Sequence, residues 1–227
     1  ILDYYRRCYV PANIAIVLVG DFDKSAVISA VATAFEGASG TIAAKPPAPK
    51  AVTQPSPVEE SVKMDFKSSY LAIGFLGPPA ASIEDVCAMD VLPTYLGQGH
   101  YSWLTNELRN KQGIVGEASA DFVTQHDPGL INIIASAKPA DLPKAREAIL
   151  AKLTQMSTSP VETFDIDRAK RSLLGQYAFQ NETVGGRAGT LGFYYAVSDA
   201  SFAARYEAMV QAVTPEAVMQ VAKKYMD

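Results

Sequence analysis

The hydrophobic pattern changes period several times along the chain, and each change predicts an element. Asn13–Val19 (Asn-Ile-Ala-Ile-Val-Leu-Val) is a continuous aliphatic, β-branched run, the pattern of a strand covered on both faces. It closes at Gly20-Asp21, and Asp23 is placed to cap a helix over 24–35 whose Val27, Ile28, Val31 and Phe35 share a face. Glu59–Phe66 and Tyr70–Leu76 alternate and predict two strands joined by a short turn at Lys67-Ser-Ser69. Ser82 opens a helix through Leu96, with Val86, Met89, Val91, Leu92 and Tyr95 as its apolar set and Pro93 expected to kink its last turn. A second helix is expected over 101–111. Val115–Thr124 and Leu130–Ala137 return to strand pattern, with Asp127-Pro-Gly129 as the turn between them.

Helical periodicity dominates the remainder. Asp141–Gln155 places Leu142, Ala145, Ile149 and Leu153 at helical spacing, and Ser159-Pro160 opens a charged helix carrying Phe164, Ala169, Leu173 and Leu174. Gly185-Gly186 and Gly189 are expected to loosen the chain before the aromatic stretch Thr190–Val197, whose Phe193, Tyr194 and Tyr195 read as core. Thr214-Pro-Glu216 starts a final helix that ends in Lys223-Lys224-Tyr225, cations at the negative pole of its dipole. This order predicts an α+β fold, an antiparallel sheet with helices packed on one face. From Gly37 to Pro57 the chain turns to Ala, Pro, Gly and Thr, with Lys45-Pro-Pro-Ala-Pro-Lys50 near the centre. Prolines fix φ and remove donors, so an extended linker and the domain boundary are expected there.

Composition narrows the function. With 227 residues, 48% hydrophobic and 19% charged, the chain falls in the globular range and has enough apolar surface for an ample core. A net charge of -4 lacks the basic footprint of a nucleic-acid binder, and no nucleic-acid partner is expected. No run reaches the roughly 18 apolar residues that span a membrane. Cys8 and Cys87 sit far apart in apolar contexts, where buried free thiols are the expectation. Ile1 opens directly onto Leu-Asp-Tyr-Tyr-Arg-Arg, which reads as the middle of an element, so chain is expected upstream.

The chemistry-bearing positions are few. The only two histidines, His100 and His126, are too far apart for a short metal-binding motif, and no metal site is expected within this chain. His126 beside Asp127 reads as a turn pair, and Ser102 lacks a nucleophile-elbow setting. The most informative stretch is Tyr95–Gly113. A glycine-broken loop (Gly97, Gly99) leads into an amphipathic helix that ends in Leu108-Arg109, and Gly113 is placed to stop it. No phosphate-loop lysine follows the glycines. Loop, helix and one arginine at a helix end suit an extended peptide or an anion, so Arg109, Gly97 and Gly99 are the candidate substrate-binding residues.

Four segments in order resemble the pitrilysin/insulinase family of zinc metallopeptidases, which includes the mitochondrial processing peptidases and the core proteins of the bc1 complex. Tyr9-Val-Pro-Ala-Asn13 with Val17-Leu-Val-Gly-Asp21 resembles the last strand-helix unit of the family's first domain. Leu96-Gly-Gln-Gly99 with Leu104 and Leu108-Arg109, Asp167-Arg-Ala-Lys170, and Val213–Val218 with Ala222-Lys-Lys-Tyr225 resemble segments of its second domain. In the family, an H-x-x-E-H motif early in the first domain holds zinc through two histidines one helical turn apart, and its glutamate activates the bound water. No such spacing occurs here. The resemblance therefore implies the C-terminal, non-catalytic region of a zinc-dependent metalloendopeptidase, inactive alone. Residues 1–40 would be the strand-helix remnant of the upstream catalytic-type domain, 41–57 the linker and 58–227 the second domain. Zinc would be held upstream of this chain. The implied partners are a peptide or unfolded protein substrate, the upstream catalytic domain and a second homologous half or subunit. The family also implies an alternative, an assembly subunit like the bc1 core proteins with no peptidase role.

One departure bears on catalysis. Family members that assist from the opposing half carry an arginine and a tyrosine seven residues apart, aimed at the scissile oxyanion. Arg109 fits the arginine, but the tyrosine position is Gly116, which offers only a backbone N–H. Losing one oxyanion donor costs about 100- to 1000-fold in turnover. No catalytic residue is expected in this chain.

Overall fold

The computed structural model describes residues 1–41, 57–63 and 65–226, and the chain divides into two compact units, Ile1–Met64 and Asp65–Asp227. Most of the expected linker over 41–57 lies outside the described residues.

In the first unit, α1 (Leu2–Cys8) leads through a 3-10 turn (Pro11–Asn13) towards α2 (Lys24–Ala34). Asp23 caps α2 as its sequence predicts, its carboxylate accepting the Ala26 N–H at 2.6 Å. The aliphatic run after Asn13 forms no strand. A strand exists only through a ladder partner, and among the described residues this run has none. Ile14, Ile16 and Leu18 are consequently exposed, where the sequence predicts cover on both faces. The described part of Glu59–Phe66 also lies outside any strand.

The second unit is α+β. β1 (Ser69–Leu76), β2 (Glu117–Val123) and β3 (Leu130–Ala137) form an antiparallel sheet in the order β1-β3-β2. The register pairs Ile73 with Ile133 and Phe75 with Ile131 on one side, and Ala120 with Ile133 on the other. Period-two alternation sends Leu71, Ile73, Phe75, Ala120, Ile131 and Ile133 to one face, which the helices cover. Tyr70, Ser119, Ile134 and Ser136 belong to the opposite, open face.

Between β1 and β2 run α3 (Ile83–Gly97) and a π-helix (Leu104–Lys111). Helix α3 is the centre of the core: Val86, Met89, Val91, Leu92 and Leu96 are buried, and it packs on β2, α5 (Thr163–Gln180), α7 (Phe202–Ala212) and α8 (Pro215–Tyr225). Each such side chain contributes about 1.5–3 kcal/mol of burial. Helix α4 (Leu142–Thr158) lies on α8 and the sheet. Thr214 caps α8 through the Ala217 N–H at 3.2 Å. Ser82, at the N-cap of α3, makes no side-chain cap bond.

One expectation is overturned in the C-terminal third. Gly185, Gly186 and Gly189 lie inside a continuous helix α6 (Val184–Val197), not in a loosened segment. Thr183 caps it through the Gly186 N–H at 3.0 Å, and a Cβ at residue 186 would overlap the Gln180 carbonyl. The glycine permits a tight elbow between α5 and α6; the cap, absent from the sequence reading, starts the helix. The aromatic triplet divides: Tyr194 is buried, whereas Phe193 and Tyr195 are exposed.

Candidate functional site: a groove on the open sheet face

The Tyr95–Gly113 segment is fixed by local chemistry. Gly97 ends α3 against β2, where a Cβ would overlap the Ala120 nitrogen. Gly99 takes a φ of +79°, the left-handed region that glycine enters most readily. Its carbonyl then accepts from the Ser102 N–H (3.3 Å), the Ser102 hydroxyl (2.9 Å) and the Thr105 hydroxyl (3.3 Å). Ser102 is buried, and its hydroxyl serves this turn. Lys152, from α4, sets its ammonium 5.2 Å from the Tyr95 ring and 5.5 Å from the Trp103 ring. Burial pulls the Lys152 pKa below the usual range, partly opposed by Asp165. Arg168, from α5, donates to the Tyr101 carbonyl at 3.2 Å and pairs with Asp165 at 2.9 Å. Helices α4 and α5 thus pin the loop.

The helix that follows is wound one residue wider than an α-helix, and Gln112 N–H donates to the Glu107 carbonyl at 3.1 Å, an i to i+5 bond. Such segments are rare and recur at functional sites. Gly113, at φ +66°, ends it, and Ile114 N–H returns to the Leu108 carbonyl at 3.0 Å. Leu104 and Leu108 are buried. Thr105 and Arg109 line a groove of about 340 Å³ together with Tyr70 of β1, Glu117, Ala118 and Ser119 of β2, and Ile134 and Ser136 of β3. The groove lies on the sheet face away from α3 and α4, with the π-helix as one wall. Arg109 is exposed and enters no salt bridge among the described residues, so its guanidinium fork is available to a carboxylate or a peptide carbonyl.

Of the three predicted binding residues, only Arg109 lines this groove. Gly97 packs against Ala120, an inward residue of β2, and Gly99 reaches the groove only through Thr105, which holds its carbonyl. Sequence reasoning missed Tyr70, Ser119, Ile134 and Ser136. Alternation marks each as an outward strand position, but only the register brings them together.

Gly116, where the resemblance leads one to expect a tyrosine, already donates its N–H to the Ser136 carbonyl at 2.8 Å. Ser136 Oγ accepts the neighbouring Glu117 N–H at 3.0 Å. No donor aimed at an oxyanion is left at that position.

Among the described residues no three of His, Cys, Asp and Glu gather as a metal site. His100 is exposed, and His126 Nδ1 sits 3.3 Å from Asp127 Oδ1 on an open turn. The donors among the described residues do not fit a zinc centre. Both cysteines are free, and burial pushes the Cys87 thiol up to about 12, with Asp90 and Glu84 adding to the shift.

The chain is 28% identical over 186 residues to an uncharacterized zinc protease of Streptomyces coelicolor, covering 80% of this chain and 40% of that protein. It is 23% identical over 226 residues to the zinc protease PqqE of Helicobacter pylori, covering 98% of this chain and 51% of that protein. The chain thus spans about half or less of the length of these relatives. The fold matches the crystal structure of a protease from Helicobacter pylori with a TM-score of 0.77 at 21% identity, over 92% of this chain and 51% of that one. It also matches a peptidase M16 inactive domain from Pseudomonas fluorescens, with a TM-score of 0.61 at 21% identity over 70% of this chain and 38% of that one. Residues 1–173 match the family model described as the peptidase M16 inactive domain, and the chain belongs to that family.

Proposed function

We propose that this chain is the non-catalytic region of a zinc-dependent metalloendopeptidase, and that it binds an extended peptide in the groove beside the π-helix. Residues 1–40 would then belong to the catalytic-type domain, with 58–227 as the second domain. Zinc is held outside this chain, and the two regions, with a second homologous half or subunit, enclose the substrate. The observation that carries this reading is Arg109, free of salt bridges among the described residues, in a groove whose floor is the open sheet face. Exposed apolar side chains on that face, Tyr70 and Ile134 among them, supply surface for alternate side chains of a bound peptide. The guanidinium supplies bidentate donors for a carboxylate or backbone carbonyl.

The test is fluorescence anisotropy of a dye-labelled, unstructured peptide titrated with the chain. Arg109→Ala weakens binding by about tenfold, the worth of one charge-assisted hydrogen bond, with the thermal midpoint unchanged. Binding indifferent to Arg109 overturns the assignment of the groove. Tight stoichiometric zinc in the purified chain, or peptide hydrolysis by it alone, overturns the non-catalytic reading.

A further inference from the structure

A second cavity, of about 290 Å³, lies in the second unit between α3, α5, α6 and α7, with Phe122 of β2 also in its lining. Its chemistry is one-sided. Asp90 of α3 is the only charged residue in its lining, and no Lys, Arg or His is among the others. The Asp90 carboxylate accepts one hydrogen bond, from Tyr206 at 2.8 Å, and forms no salt bridge among the described residues. Around it stand aromatic rings: Tyr177 and Tyr206 lie 4.8 Å apart and tilted, and Tyr194 sits 6.0 Å from Tyr206. Thr190 lines the same cavity, is 5% exposed, and its hydroxyl is buried with no hydrogen-bond partner. A buried hydroxyl left unpaired is destabilising, and a ligand N–H would supply the missing partner.

We propose that this cavity is a binding site for an alkylammonium group, seated against the Asp90 carboxylate and the faces of Tyr177, Tyr194 and Tyr206. Two features select a cation over an anion or a neutral guest. The carboxylate is uncompensated and aromatic ring faces are negative, and a cation within about 6 Å of a ring centroid gains from both. The volume, at the lower end for ligand sites, suits a small amine or one basic side chain and excludes anything drug-sized. Two sources share this chemistry, a free amine and a lysine side chain presented on a peptide. The site is independent of the sheet-face groove, with which it shares no lining residue.

Seating a cation requires the carboxylate ionised, and burial holds Asp90 up at about 7, with the Tyr206 hydrogen bond opposing. The titratable groups around it are the Cys87 thiol from its own helix, Tyr177 from α5, Tyr194 from α6 and Tyr206 from α7, none of them cationic. Binding should therefore release a proton below pH 7 and tighten with rising pH up to about that value.

The experiment titrates the full 227-residue chain by calorimetry with n-butylammonium, with 1-butanol as the neutral isostere, and with an acetyl-Ala-Lys-Ala-amide peptide. Butylammonium is expected to bind, to tighten by roughly tenfold per pH unit from 5 to 7 and to level off above, while butanol does not bind. Asp90→Asn abolishes the pH dependence and weakens binding at pH 8 by at least about tenfold. Thr190→Val, which keeps the volume, weakens it by a smaller factor and guards against misfolding of the Asn variant. Binding of the peptide as well assigns the site to basic side chains, and binding of the amine alone assigns it to free amines. Equal binding of butanol, unchanged affinity in both variants, or no binding of any probe overturns the proposal.

Discussion

Gly97 lies flat on Ala120: a Cβ built at the end of α3 would overlap the Ala120 nitrogen and come within 2.7 Å of its Cβ. The last turn of α3 and the middle of β2 meet backbone to backbone there, which aims the following loop, and hence the π-helix, at the sheet. Neither the helix end nor the strand can move without disturbing the buried Leu96 and Ala120. Gly97→Ala is therefore expected to destabilise the chain by about 1–3 kcal/mol or more, the range for overpacking a fixed contact. Urea denaturation measures this. Gly99→Ala, which meets open space but keeps the left-handed backbone at φ +79°, costs only about 1 kcal/mol.

Asp90 sets a pH dependence of unusual sign for a carboxylate. Its pKa is raised by burial to about 7, above its unfolded value. A raised folded pKa means the native state holds the proton more tightly, so the contribution is full below about pH 4. It is lost as pH climbs through about 7. Asp90→Asn, which keeps an acceptor for Tyr206, should flatten stability across that window and exceed the natural chain in thermal midpoint at pH 8. Melting curves at unit pH intervals from 4 to 8 decide it. A midpoint that rises with pH in the natural chain, and not in the variant, contradicts the assignment.

Five residues earlier on the same helix, Asp85 behaves oppositely. Desolvation pushes its pKa up, but hydrogen bonds from Lys224 and Tyr225, both 2.7 Å from Oδ2, outweigh that and hold the carboxyl below its usual range. Its contribution is present above the unfolded pKa and disappears as pH falls through the lowered one. The pair ties the end of α8 to the start of α3. Asp85→Asn should lower stability at pH 7 by a modest, solvent-screened amount and by less as the medium is acidified, read by urea midpoints at neutral and acid pH.

How legible these features were depends on whether their cause was local. The boundaries of β3, the Asp23 and Thr214 caps and the apolar face of α3 follow from neighbours in sequence, and each stands where the pattern places it. The Asn13–Val19 run misled because a continuous apolar stretch says nothing about whether a partner strand exists. Arg109 stood out as a cation at a helix end, but the groove it lines needed the pairing Glu117↔Ser136, nineteen residues apart. Asp90 and Tyr206, 116 residues apart, meet only through packing of α7 on α3, and no periodicity reports that.

The glycines of α6 offer the sharpest separation of the two roles glycine plays. In the sequence Gly186 and Gly189 look equivalent, three residues apart and both apt to break a helix. In the fold they differ. A Cβ at 186 meets the Gln180 carbonyl across the elbow with α5, whereas one at 189 meets nothing within 4 Å, and Gly189 is exposed. Glycine at 189 therefore only costs helix propensity, since it loses more backbone entropy on folding than alanine does. Gly189→Ala should stabilise the chain by about 0.5–1 kcal/mol. Gly186→Ala should destabilise it, because the obstructing atom is backbone and cannot rotate away. Guanidine denaturation of the two variants beside the natural chain measures both. Shifts of the same sign would place residue 186 in an open helix and remove the elbow as the reason for its glycine.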